Sequence, residues 1–70
     1  MEPTYIIELH PVKKIYYNGI HHGTICESGI KESIKFKSYI KAQKQLADII
    51  RIGSDDGKYY ISILKFEAII

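Results

Sequence analysis

Seventy residues, 46% of them apolar, with a formal charge of +2, suffice for one domain spanning 1–70 with one small core. The lone Cys26 excludes an intrachain disulfide, and no apolar N-terminal run resembles a signal peptide or a membrane span. The expectation is a soluble cytoplasmic protein whose slight net charge does not by itself demand a nucleic-acid partner, and whose small core makes a homo-oligomer plausible.

In chain order, Thr4 to His10 alternates, with Tyr5, Ile7 and Leu9 on one face and Thr4, Ile6, Glu8 and His10 on the other, which reads as a half-buried strand. Pro11 interrupts it. Ile15-Tyr16-Tyr17 precedes Asn18-Gly19, a pair that tolerates the positive φ of a type I′ turn, so a hairpin with a return strand from Ile20 to about Ile25 is predicted. After a turn at Gly29, Ser33 to Lys37 alternates again, with Ile34 and Phe36 inward and both lysines outward.

Ser38 then caps a helix, its hydroxyl placed to accept from the backbone N–H of Ile40 or Lys41. Tyr39, Ala42, Leu46, Ile49 and Ile50 recur at helical spacing as the buried stripe, and Lys41, Lys44, Gln45, Asp48 and Arg51 lie opposite. The helix is expected to end near Arg51 or Ile52, with Gly53 at a left-handed C′ position and Ser54-Asp55-Asp56-Gly57 as a turn. Lys58 to Phe66 reads as the longest strand, apolar on both faces, and Ala68-Ile69-Ile70 continues apolar.

The sum is an α+β domain of order β-β-β-β-α-β: a small antiparallel sheet of four to five strands with one helix packed on one face. The helix-free face, carrying several of Tyr5, Tyr16, Tyr17, Tyr59 and Tyr60, is then solvated, paired with a second copy or reserved for a partner.

The passage Phe36-Lys37-Ser38-Tyr39-Ile40-Lys41-Ala42, followed by Leu46 and a Tyr/Ile strand, resembles a pattern of small phage and prophage proteins, in which a strand ending in Phe leads through Ser or Thr into a helix with Ala in its first turn. It is similar as well to the strand-to-helix passage of the arm-DNA-binding domains of tyrosine recombinases, which read DNA with a three-stranded sheet. The strong strand after the helix departs from that family, and no catalytic domain is expected behind it. Fifteen Ile, nine Lys and six Tyr against three Ala and one Arg is the usage of A/T-rich coding sequence, which fits a low-GC bacterium or its phages.

Chemistry is sparse. His10, His21, His22 and Cys26, with Glu8 and Glu27, carry donor atoms for zinc, but the ligands lack knuckle spacing, and His21 and His22 point to opposite faces of a strand. Cys26 has no cationic neighbour in sequence to activate it. Asp55 and Asp56 suit turn formation, and too few alternating oxygen ligands surround them for calcium. With no phosphate loop or nucleophile elbow, neither an enzyme nor a cofactor is expected.

Two binding surfaces remain. Tyr5, Tyr16, Tyr17, Tyr60 and Phe66 are candidate anchors for a protein partner, a host protein inhibited or redirected by a phage-encoded module. Lys13, Lys35, Lys37, Lys41 and Lys44 are the alternative, a basic strand-helix surface for nucleic acid.

Overall fold

Alternating patterns of this kind become a ladder only where each strand finds a neighbour, and here they do so in an order that differs from the expected one. The computed structural model describes residues 3–53 and 59–66. It contains β1 (Thr4–His10), β2 (Ile15–His21), β3 (Thr24–Ser28), α1 (Tyr39–Gly53) and β4 (Ser62–Phe66). The sheet is antiparallel throughout, in spatial order β3-β2-β1-β4, an α+β fold of order β-β-β-α-β. Both ends of the helix therefore connect to the two outer strands.

The hairpin turn falls at His22-Gly23, not at Asn18-Gly19. Both turn residues have positive φ, 52° and 75°, as a two-residue loop between the paired His21 and Thr24 requires. Asn18 and Gly19 instead form a bulge between the Tyr17–Glu27 and Ile20–Ile25 pairs, with Gly19 at φ 109°. The bulge shifts the alternation by one, so Ile20 and Ile25 share the face of Tyr17. A turn at Asn18-Gly19 would have ended the strand at Tyr17, two residues after Ile15, and left Ile25, which is now buried, out of the core.

Segment 33–37 is not a full strand either. β1 and β2 pair only near one end, at Glu8–Tyr16 and His10–Ile15. Where they part, the chain after β3 returns between them. Tyr5 N–H donates to Phe36 C=O at 2.8 Å and Phe36 N–H to Tyr5 C=O at 2.7 Å, while Ile34 N–H donates to Tyr17 C=O at 3.1 Å. The segment is a wedge between the strands, satisfying backbone groups that the parting would otherwise orphan. Ile34 and Phe36 face inward as expected, Phe36 stacking on Tyr17 with ring centroids 6.4 Å apart.

The core lies between the sheet and α1: Ile7, Leu9, Tyr17, Ile25 and Ile49, flanked by Ile15, Ile34, Phe36, Leu46, Tyr59, Ile61 and Ile63. Ser38 caps the helix as predicted, its Oγ accepting from Lys41 N–H at 3.2 Å. Ala42, Leu46, Ile49 and Gly53 recur every three to four residues and form the sheet-facing stripe. Tyr39 and Ile50, expected in that stripe, are about half exposed at its margin. Gly53 is the last helical residue and not a left-handed cap. A Cβ there would stand 3.1 Å from Ile25 Cδ1 and 3.3 Å from Tyr59 Cδ2, so close approach accounts for the glycine.

β4 begins at Ser62, later than the expected Lys58, although Tyr60 N–H still donates to Leu9 C=O at 2.9 Å. The predicted turn at Ser54–Gly57, Lys58 itself and the apolar Ala68–Ile70 lie outside the described residues. Among the described residues no helix is long and apolar enough to cross a membrane.

Candidate functional site

The helix-free face of the sheet is not an open aromatic surface. Ile6 and Tyr16 lie on it by alternation, and both are buried. Lys35 shows why. Its Nζ donates to the carbonyls of Ile30 (2.6 Å), Lys31 (2.8 Å) and Ser33 (2.9 Å) and stands 5.1 Å over the Phe66 ring. Phe66 pairs with Thr4, on the same face as Ile6, so this one ammonium gathers the 30–35 loop against that face. Buried Ser33 closes the same loop by donating to Ile30 C=O at 2.7 Å.

The five aromatic candidates are accordingly dispersed. Tyr17 is core, and Tyr16 is buried on the opposite face of β2. Burial raises the pKa of both phenols: Glu8 adds to the effect at Tyr16, and Asp48 and Cys26 add to it at Tyr17. Phe66 sits under Lys35. Tyr60, 66% exposed, meets His10 edge-on at 5.1 Å at the far end of β1. Tyr5, half-buried, meets Tyr39 edge-on at 5.7 Å at the other end.

The lysines are divided in the same way. Lys13 follows the end of β1 at His10, whereas Lys37 and α1 start from Phe36, which bridges Tyr5 near the other end. Five residues of extended strand, roughly 17 Å, separate those two ends. Lys35 is engaged by the loop carbonyls. Lys37, Lys41 and Lys44 remain together, all exposed at the start of α1, and none has a carboxylate within ion-pair distance among the described residues.

A different apolar surface emerges on α1. Tyr39 is 48% exposed, Ile40 64% and Ile50 49%, with exposed Ala47 between them. At 3.6 residues per turn, Tyr39, Gln43, Ala47, Ile50 and Ile40 occupy one flank. The opposite flank carries Asp48, whose charge reaches Tyr17 on β2. The apolar flank therefore looks toward β1 and β4, consistent with Tyr39 against Tyr5. Its sequence signal was the width of the apolar arc: α1 carries more large apolar residues than a single sheet-facing stripe can bury.

Tyr59 OH donates to Glu27 Oε2 at 2.6 Å and ties the approach to β4 onto β3. His21 and His22 lie ring to ring at 4.2 Å, exposed on the hairpin, and among the described residues no group of three or more His, Cys, Asp or Glu side chains is placed to hold a metal ion. Comparison with protein-family models, curated proteins and solved structures finds no match to this chain.

Proposed function

We propose that this protein is a non-enzymatic binding module that acts by occupying the surface of another protein. The observation that carries the reading is the exposed apolar flank of α1, with Tyr39, Ile40 and Ile50 standing out of a domain whose sheet-facing stripe is already filled. Large aliphatic groups held in water on a regular helix favour association, at about 25 cal/mol for each Å² of apolar surface covered. A phosphate-binding surface gains nothing from Ile40 and Ile50, and of the five lysines proposed for it only Lys37, Lys41 and Lys44 stay together, since Lys35 is engaged internally and Lys13 stands at the other end of β1. Those placements favour protein over nucleic acid.

The setting we propose is a phage or mobile-element protein in the bacterial cytoplasm, with a host protein as target. Small size and A/T-rich residue usage support that setting. The test is affinity capture from a low-GC bacterial lysate, with nuclease treatment and a moderate-salt wash, using the wild type beside Ile40→Glu and Ile50→Glu. A stoichiometric protein held by the wild type and lost by both variants supports the reading. Recovery of nucleic acid alone, released steeply as salt rises, overturns it.

A further inference from the structure

From the charge that borders this flank at the helix start we infer the chemistry of its partner: an amphipathic, acidic segment of another protein, with apolar anchors for Tyr39 and Ile40 and carboxylates for Lys37 before the helix, Lys44 beside Ile40 and Lys41 further round. The inference rests on the protein-binding reading and goes further by naming the partner's character. Two independent features of the helix start converge on it. The first is the exposure of Ile40 and Tyr39.

The second is an arrangement of charge that works against the fold. A helix start favours Asp or Glu, because unpaired N–H groups concentrate positive charge there, yet the first turn of α1 holds no acidic residue. It holds Lys41, with Lys37 just before it and Lys44 three residues on, a like-charge spacing that disfavours a helix. Among the described residues no carboxylate pairs with them: the carboxylate on the helix, Asp48, accepts from Arg51 at 2.7 Å. Among the described residues these lysine side chains make no hydrogen bond or ion pair, and local rules broken without visible compensation concentrate at functional sites. Lys44 lies one turn beyond Ile40, so cation and apolar group present side by side. The complement of such a surface is a carboxylate-rich segment with aliphatic or aromatic anchors. A second copy of α1 would bring like charges together, and a phosphate backbone would leave Ile40 uncovered.

Selection of a random peptide library against the immobilised protein tests this. The expected outcome is enrichment of sequences with apolar anchors interspersed with Asp and Glu and depleted of Lys and Arg. A synthetic peptide of the most enriched sequence should bind on the order of tenfold more weakly to Ile40→Ser and to Lys41→Glu/Lys44→Glu. Its affinity should also fall with salt. All three side chains are exposed, so the thermal melt of Ile40→Ser should match that of the wild type, and Lys41→Glu/Lys44→Glu, which removes cations from the helix start, should melt no earlier. Neutral or basic selected sequences, no enrichment, or binding indifferent to these variants overturns the proposal. So does a dimer in sedimentation equilibrium that Ile40→Ser dissolves, or single-stranded DNA binding lost with the two lysines but kept in Ile40→Ser. A captured protein partner insensitive to Lys41→Glu/Lys44→Glu overturns the acidic character alone and leaves the protein-binding reading standing; absence of any protein partner removes both.

Discussion

Replacing Lys35 by Met removes one ammonium and keeps most of the stem, and the structure assigns that ammonium an unusual share of the stability. It donates to three carbonyls at 2.6, 2.8 and 2.9 Å. A hydrogen bond from a charged donor contributes roughly 1.5–3 kcal/mol when sheltered. These carbonyls lie near the surface, where water replaces the lost donor, so the three together are worth far less than their sum. About 2 kcal/mol is a fair total, including about 0.5 kcal/mol for the cation over the Phe66 ring. In a domain of this size that lowers Tm by roughly 8–16 °C. The control is Lys37→Met, two residues on, exposed and with no partner among the described residues, for which a change within about 0.5 kcal/mol is expected. Parallel thermal and urea melts give both values. If Lys35→Met falls within about 0.5 kcal/mol of Lys37→Met, the loop is not held by this ammonium, and the argument that Lys35 is unavailable to phosphate fails with it.

Ser38→Ala should cost about 1 kcal/mol in urea denaturation, because Lys41 N–H loses its acceptor. Gly53→Ala should destabilise by about 1 kcal/mol despite the better helix former, since the new Cβ meets Ile25 and Tyr59 at 3.1 and 3.3 Å; equal or greater stability would show that these neighbours yield freely. His22→Asn should stabilise by about 0.5 kcal/mol, as asparagine accepts the positive φ of the turn more readily than histidine. Tyr16 and Tyr17 both have pKa values raised above 10.0, so the fold favours their protonated forms: their contribution is complete below pH 10.0 and is lost as pH rises through their folded values. An alkaline melt series should show stability falling above pH 10.0, and a flat profile there would contradict the burial of these phenols.

The elements with a single dominant local cause were legible in the sequence. β1 alternates cleanly over its whole length and has the bounds the pattern gave it; α1 announces its start through Ser38. The hairpin was misplaced because two dipeptides compete for the turn, Asn18-Gly19 and His22-Gly23, and local propensity favours the first. The ladder decides for the second, since only that register brings Ile25 beneath α1 while Tyr17 stays in the core. Segment 33–37 has the alternation of a strand, but pattern alone cannot show that its neighbours part and leave room for only a short bridge. The interaction surface was hard to read for a related reason. Tyrosines at strand spacing carry the same signal whether they are covered or exposed, and Tyr16 and Tyr17 are covered on opposite faces of β2.

The parting of β1 and β2 connects the core to the candidate site. A ladder that continued past Glu8 and Tyr16 would have sent the chain after β3 around the sheet. Instead the chain passes through the gap, pairs with Tyr5 at Phe36 and enters α1 after only Lys37 and Ser38. That short entry fixes where the helix begins, and the rotation of the helix is set by Ala42, Leu46 and Ile49, which have to face the sheet. With start and rotation both determined, Tyr39 is directed onto Tyr5, Ile40 outward and Lys41 into the first turn. The exposed flank is therefore held by the same contacts that close the core. Substitutions at Phe36 should accordingly disturb binding and folding together, whereas those at Ile40 or Lys44 should affect binding alone. Separate measurement of melting and of peptide affinity for Phe36→Leu and Ile40→Ser distinguishes the two, and a Phe36→Leu variant that melts earlier yet binds the peptide as tightly as the wild type would break the link.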